Sequence, residues 1–137
     1  MNPVVINYAL CKHIMTGNTF YGTDNAEYKI KGYISCKSAS VIYSVYCNRC
    51  SKVLYVGQTG DTFYQRMLLN FSMIRTKISD TVAEHFYSNG HSVQDFSVIG
   101  IEKIYGDETY RKVKESFWIK KLKTLSPDGL NRQIDLQ

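Results

Sequence analysis

The sequence predicts a domain of the α/β (α+β) class, with a small antiparallel three-stranded sheet flanked by helices. Residues 41–46 and 53–56 are rich in β-branched and aromatic side chains and are separated by six residues, as in a hairpin. A third stretch of this kind follows at 96–104, and apolar residues recur at helical spacing before and after it. The chain of 137 residues is long enough for one hydrophobic core.

The composition is that of a folded, basic domain. Hydrophobic residues make up 44% and charged residues 21%, which argues against disorder. The net charge of +5 favours a polyanionic partner such as DNA or RNA. No apolar run approaches the roughly 20 residues of a membrane span. The first residues lack the basic and apolar regions of a secretory signal, so we expect no signal peptide.

Residues 1–39 are predicted to form an N-terminal arm, and residues 40–137 the main domain. The arm is polar and rich in turns, with one short strand expected near 28–34. Cys11, His13 and Cys36 lie in or beside this arm, and their spacing fits no compact metal-binding pattern. We interpret the two cysteines as free thiols, with metal ligation as the alternative.

Three helices are expected after the hairpin begins. Asp61 or Thr62 can cap a first helix that runs to about residue 77, because the apolar side chains there recur at helical spacing. A short second helix starts near Asp80 and ends at an Asn-Gly pair. A long third helix covers 107–125, with acidic residues at its start and lysines near its end, as the helix dipole favours.

Two close pairs of potential ligands predict a structural zinc site. Cys47 and Cys50 are separated by two residues in the hairpin tip, so one turn can present both sulfur atoms to one ion. His85 and His91 follow, with five residues between them, at the end of the short helix and just past it. Zinc takes four such ligands in tetrahedral geometry, and four protein ligands leave no open position for water. The alternative is a hairpin with incidental cysteines and two surface histidines.

Five residues in a fixed order form a candidate site for phosphodiester cleavage: Tyr43, Tyr55, Gly57, Arg66 and Glu115. This reaction needs a positioned water, a base and stabilisation of developing charge. A carboxylate-bound divalent metal, an arginine, and a tyrosine whose pKa is lowered by nearby positive charge can supply these. Each residue alone is common in a core or on a solvated helix, so the prediction depends on their order and spacing.

After the arm, the chain resembles the GIY-YIG endonuclease family. Tyr43 matches the tyrosine of the first motif of this family, and Tyr55-Val56-Gly57 matches the second. The resemblance implies that Arg66 is the arginine of the first helix, Glu115 the metal-binding glutamate and Asn131 a late asparagine of the catalytic site. It implies a GIY-YIG nuclease fold with an inserted zinc site, and a DNA endonuclease that depends on Mg²⁺ or Mn²⁺.

The resemblance extends to the endonuclease domain of Penelope-like retroelements. It is carried by the Cys47-x2-Cys50 pair, by residues 55–59, by 84–86 with 91–92, and by 115–119 with 127–131. In those elements the domain follows a reverse transcriptase and nicks target DNA, and the freed 3′ end primes copying of the element's RNA. The resemblance thus implies a nuclear protein, a longer parent polypeptide with a reverse transcriptase domain, and DNA and RNA as partners, without membrane association.

Two positions depart from the family pattern. Val41 replaces the glycine of the first motif, which leaves Tyr43 unchanged. Asn70 stands where many members carry a histidine, and an amide cannot accept a proton at neutral pH, which shifts the role of base toward Tyr43. Substrate contacts are expected from four residues: Gly57, Asn70, Lys112 and Lys114.

Two other functions fit the same residues. A structure-specific DNA repair nuclease of this fold would prefer branched DNA. A catalytically silent, zinc-stabilised nucleic-acid-binding module would bind DNA without cleaving it, although the presence of Tyr43, Arg66 and Glu115 argues against this reading.

Overall fold

The computed structural model of the chain describes residues 12–132, which form six β-strands, three α-helices and one 3₁₀ helix. The strands are β1 Ile14–Met15, β2 Thr19–Tyr21, β3 Glu27–Lys29, β4 Ala39–Cys47, β5 Lys52–Thr62 and β6 Phe96–Lys103. The helices are α1 Phe63–Arg75, α2 Thr81–His85 and α3 Glu108–Leu122, and the 3₁₀ helix is Val93–Asp95.

Four of the strands form the central sheet, in the order β1-β6-β4-β5. β4 is antiparallel to β5 and β6, whereas β1 runs parallel to β6. The prediction of a three-stranded sheet is therefore wrong, because β1 adds a fourth strand at one edge. β1 has only two residues, Ile14–Met15, which is too short to show the alternation of polar and apolar side chains that predicts a strand.

The β4–β5 hairpin is longer than its apolar residues predict. Cys47 pairs with Lys52 at the tip, and Ala39 pairs with Thr62 at the base. The last residues of β5 are mostly polar, so backbone pairing extends the strand beyond the apolar run that marks its start. As a result, β5 forms a long outer edge of the sheet.

β2 and β3 form a separate antiparallel pair. β3 corresponds to the strand expected near 28–34 and begins one residue before that range. Phe20 and Tyr28 of this pair pack against Trp118 of α3, with ring centroids 5.6 and 5.9 Å from the Trp118 ring. This pair therefore covers part of the α3 side of the domain.

The interpretation of Cys36 as a free thiol is wrong, because this residue is disulfide-bonded. The same interpretation of Cys11 concerns a residue outside the described part of the chain. His13 lies 4.9 Å from the Phe71 ring, and its Nδ1 is 2.9 Å from the carbonyl oxygen of Phe96. His13 thus packs against α1 and the start of β6.

The two faces of the sheet are covered by different helices. On one face, Phe63 and Met67 of α1, and Phe86 directly after α2, pack against side chains of β4 and β6. On the other face, α3 packs Trp118 and Ile119 against β4, β5 and β6. β4 is therefore buried on both sides, and the side chains of β4 and β5 that face α1 lie close to the functional residues.

The helix ends follow from local capping. The Thr62 side chain accepts from the backbone N–H of Gln65, and the Thr62 backbone N–H donates to the Gln65 side-chain oxygen, so α1 starts with a capping box. Asp80 caps α2, which ends at His85, earlier than predicted. α3 ends when Lys123 adopts a left-handed conformation. Within residues 12–132, no helix combines the length and apolar character that a membrane crossing requires.

Candidate active site and metal centre

Tyr43 lies in the centre of the sheet, directly opposite Gly57 on β5. Its side chain is 1% exposed. A Cβ atom at Gly57 would lie 2.5 Å from the Tyr43 hydroxyl oxygen and 2.9 Å from Cε1 of Tyr55. Glycine at this position therefore provides the space in which the two tyrosine rings meet.

The Tyr43 hydroxyl is held by a side chain of α1. Arg66 Nε donates to the Tyr43 oxygen at 3.0 Å. Burial raises the pKa of Tyr43, and this effect exceeds the opposing effects of Arg66 and Asn70. The expectation that positive charge lowers the pKa of Tyr43 is therefore wrong in its net direction, and the phenol is protonated at neutral pH.

A polar cleft of about 410 Å³ opens beside the second tyrosine. Five of the residues that line it have polar or charged side chains that could take part in binding or catalysis: Tyr55, Asp80, Glu115, Asn131 and Arg132. We call this space the cleft. It lies between the start of α2, the middle of α3 and the edge strand β5.

Tyr55 connects the cleft with the buried tyrosine. Burial raises the pKa of Tyr55, and the charges of Tyr43 and Glu115 raise it further, whereas Arg66 lowers it. Both tyrosine side chains lie against Gly57, Arg66 donates to Tyr43, and Tyr55 and Glu115 line the same cleft. The fold thus gathers Tyr43, Tyr55, Arg66 and Glu115 from β4, β5, α1 and α3.

Asn131 borders the cleft, but its amide is committed to the backbone of β5. Its Oδ1 accepts from the Val56 N–H at 2.9 Å, and its Nδ2 donates to the Val56 carbonyl oxygen at 2.9 Å. The Thr124 hydroxyl also donates to Oδ1, at 2.7 Å. This geometry favours a role for Asn131 in positioning the strand that carries Tyr55.

The two lysines expected to contact substrate make ion pairs on α3. Lys112 lies 3.7 Å from Glu108, and Lys114 lies 3.3 Å from Glu102. Neither lysine lines the cleft. Their contact with DNA stays a prediction.

The donor set of the cleft fits a hard divalent cation. Glu115 and Asp80 both line it, and carboxylate oxygens are the ligands that Mg²⁺ and Mn²⁺ prefer. Asp80 is also close enough to raise the pKa values of Tyr55 and Arg66 by its negative charge. A cation bound there would therefore lie close to the tyrosine–arginine pair.

The four predicted zinc ligands come together at the tip of the β4–β5 hairpin, in what we call the Cys/His cluster. The ligand atoms of Cys47, Cys50, His85 and His91 all lie within 4.8 Å of one another. Cys50 Sγ is 3.3 Å from His91 Nε2 and 3.7 Å from His85 Nε2. Tetrahedral zinc with bonds of about 2.0–2.3 Å places its ligand atoms roughly 3.3–3.8 Å apart, so the two distances from Cys50 Sγ fit this ion.

Groups around the Cys/His cluster orient its ligands. The Cys50 backbone N–H donates to Cys47 Sγ at 3.3 Å. His91 Nδ1 lies 3.3 Å from the Ser88 carbonyl oxygen, which can only accept a hydrogen bond. A proton on Nδ1 leaves Nε2 available as a metal ligand, which is the usual arrangement for histidine at zinc sites.

Three polar residues near the cleft were not identified as functional from the sequence. Asp80 was recognised only as the start of a helix, and its position in the cleft depends on how α2 is oriented. Arg132 donates to the Thr81 hydroxyl at 2.8 Å, which is a contact between distant parts of the chain. Of these three, only Arg111 could have been identified from the sequence, because it precedes Glu115 by four residues on one helix and therefore lies on the same helix face.

Comparison with known proteins supports the fold. No protein-family model matches the sequence, and no curated protein does. Among solved structures, the chain is similar to the catalytic domain of the homing endonuclease I-TevI, with a TM-score of 0.57 and 26% sequence identity. The match covers 69% of this chain and 98% of that domain. This likeness supports a GIY-YIG domain and a nuclease function for the chain.

Proposed function

We propose that the chain is a metal-dependent DNA endonuclease of the GIY-YIG type that nicks DNA. The observation that carries this proposal is the meeting of Tyr43, Tyr55, Arg66 and Glu115 beside one cleft, in a fold similar to the catalytic domain of a homing endonuclease. Phosphodiester hydrolysis needs a cation site, an arginine for the phosphate and a group that positions water. This site offers all three.

Each residue has a distinct role in this proposal. Glu115 holds Mg²⁺ or Mn²⁺, which when bound stabilises negative charge on the phosphate oxygens. Arg66 uses Nε to hold Tyr43, so its terminal nitrogen atoms can donate to the scissile phosphate. Tyr43 positions the attacking water through its hydroxyl as a neutral phenol.

The Cys/His cluster binds structural zinc in this proposal. Two sulfur and two imidazole ligands form a closed tetrahedral set, without a position for substrate. The cluster joins the β4–β5 hairpin to the segment that follows α2, and α2 begins at Asp80 in the cleft. Zinc would therefore stabilise the wall of the cleft.

The biological role that we propose is the nicking of target DNA to prime reverse transcription of a Penelope-like retroelement. The sequence resemblance described above supports this role, which implies a nuclear location and a reverse transcriptase with its RNA as partners. A nick that primes synthesis must carry a 3′ hydroxyl. Extension of the nicked strand by an added DNA polymerase would therefore support this role, and a blocked 3′ end would contradict it.

Nicking of supercoiled plasmid in Mg²⁺ or Mn²⁺ tests the nuclease function. We expect the parent chain to produce open circles and Glu115→Gln to lose at least about 100-fold in rate, because the amide removes the charge that holds the cation. Glu108→Gln is the matched control, since Glu108 is an exposed carboxylate on the same helix. Each variant should first be shown to be folded and zinc-loaded.

Two outcomes would contradict the proposal. Equal loss in Glu115→Gln and Glu108→Gln would exclude a specific role for Glu115. DNA binding by the parent chain without any nicking would instead identify a catalytically silent binding module. Comparison of branched with linear substrates in the same assay separates a repair nuclease from a target-nicking enzyme.

A further inference from the structure

An arginine of α3 has no role in the mechanism above. Arg111 precedes Glu115 by four residues on α3, so the two side chains project from the same face of the helix. Arg111 Nε donates to Gln58 Oε1 at 2.7 Å, and Nη1 donates to Ser40 Oγ at 3.4 Å. These contacts fix the guanidinium against the edge strand β5.

The charge of Arg111 is not neutralised by these contacts. Both acceptors are neutral, and the ion pairs found on α3 involve Lys112 and Lys114 instead. Within residues 12–132, no carboxylate forms an ion pair with Arg111, and its Nη2 donates no hydrogen bond. A rigid guanidinium with its full charge and an unused donor suits a phosphate, which accepts from the planar fork of an arginine.

Gly60 provides the space that this guanidinium occupies. A Cβ atom at Gly60 would lie 2.8 Å from Arg111 Nη2 and 3.2 Å from its Cζ. The Gly60 backbone does not adopt the left-handed conformation that favours glycine, so the close approach of Arg111 is the reason for a small residue here. Both Gly57 and Gly60 of β5 thus make room for polar side chains.

We propose that Arg111 binds a phosphate of the DNA strand that enters the cleft, one helical turn from Glu115. This inference rests on the proposed nuclease function and names a substrate contact that the catalytic residues do not provide. Arg66 is held by Tyr43 near the scissile position, whereas Arg111 lies further along the outer edge of the sheet. Arg111 therefore positions the strand, and its loss should weaken binding more than it slows the chemical step.

The test compares Arg111→Ala with Lys120→Ala, which removes one positive charge at another position on the same helix. Lys120 lies nine residues later, which is about 180° around α3, and its side chain is exposed. Binding is measured with a labelled DNA duplex over a range of salt, in the Glu115→Gln background so that no cleavage occurs. We expect Arg111→Ala to weaken binding about tenfold and to reduce the salt slope by about one. Lys120→Ala should change binding less than about twofold.

Two further variants separate phosphate binding from a structural role. Arg111→Lys keeps the charge but not the fork, so it should recover part of the affinity and nearly all of the salt slope. Gly60→Ala displaces the guanidinium without removing it, so it should weaken binding while leaving the charge of the chain unchanged. In the active background, Arg111→Ala should raise KM with a smaller change in kcat.

These experiments distinguish failure of the Arg111 phosphate contact from failure of the nuclease proposal. Arg111-dependent binding without nicking by the parent chain would refute the nuclease and retain the phosphate contact. Equal binding by Arg111→Ala and Lys120→Ala would overturn the contact while leaving the nuclease intact. A lowered melting temperature with an unchanged salt slope would also overturn it, because Arg111 would then serve only to hold α3 on β5.

Discussion

The Cys/His cluster and the cleft differ in how their residues are brought together. The cluster uses two pairs, each joined by a short turn: Cys47 with Cys50, and His85 with His91. Only one long-range contact, between the hairpin tip and the segment after α2, completes it. The cleft gathers residues from four parts of the chain that are far apart in sequence: β5, the start of α2, α3 and the segment after α3. Its geometry therefore depends on the register of the sheet and the packing of both helical layers.

The two regions also differ in burial and solvent access. Cys47 is buried, but Cys50 is exposed, so a metal ion can reach the cluster from solvent. In the proposed catalytic region, Tyr43 is fully enclosed, whereas Tyr55 and Glu115 line the cleft. We therefore expect the Cys/His cluster to contribute mainly to stability, and Tyr43 with Arg66 to contribute mainly to the reaction. Three experiments can break or sharpen this division.

The largest effect on stability should come from loss of the cluster. We expect the parent chain to bind stoichiometric zinc, and Cys47→Ser to lose it, because the ion then lacks one of its four ligands. The free energy of binding structural zinc is also folding free energy, so the melting temperature should fall by at least roughly 10 °C. Zinc analysis and thermal unfolding, with and without a chelator, measure this.

Nicking should decline together with the loss of zinc, because α2 links the cluster to the cleft. His85 ends α2, and Asp80 caps its start. Restoring zinc to the chelator-treated parent chain is the control, and it should recover both stability and activity. An unchanged melting temperature after complete removal of zinc would show that the cluster is not a structural centre.

Tyr43→Phe should give the next largest effect, on activity. We expect nicking to slow by about 100-fold or more, because the hydroxyl that positions the water is lost. Stability should fall by only about 1–3 kcal/mol, since the Arg66 donor loses its acceptor in a partly buried site. Single-turnover nicking and thermal unfolding test the two effects, and equal rates for parent and variant would exclude Tyr43 from the reaction.

The same variant tests the direction of the pKa shifts. Burial raises the pKa values of Tyr43 and Tyr55 above the ordinary value of about 10. The stability that comes from keeping these phenols protonated is fully present below pH 10, and it is lost as the pH rises further, because the unfolded chain ionises first. The parent chain should therefore lose more stability above pH 10 than Tyr43→Phe, in which one such group is absent.

Gly57→Ala should give the smallest of the three effects. The added Cβ would meet the Tyr43 hydroxyl at 2.5 Å, so we expect a loss of about 1–3 kcal/mol from overpacking. In the double variant with Tyr43→Phe, the hydroxyl oxygen that the added Cβ would meet is absent. The stability loss of the double variant should then be smaller than the sum of the single losses. Strict additivity would show that Gly57 does not make room for this hydroxyl.

The elements with strong periodic patterns could be predicted from the sequence, as could the spacing of the cluster. α3 begins within one residue of its expected start because Asp107 is a strong cap, and β6 ends one residue before its predicted limit. β1 could not be predicted, since a two-residue strand has no pattern and exists only through pairing with β6. The direction of the Tyr43 pKa shift was also inaccessible, because it depends on burial of the ring under Phe63 and the rest of that core.

The Asn131 side chain also covers backbone groups of β5, which is an edge strand of the sheet. Its amide pairs with both the N–H and the C=O of Val56, as a residue of a neighbouring strand would. The Leu130 N–H likewise donates to the Leu54 carbonyl oxygen at 2.7 Å. An open edge of this length presents backbone groups to which another copy of the chain could add a strand. Because the segment around Asn131 occupies those groups, fewer of them are open to edge-to-edge pairing with another copy of the chain.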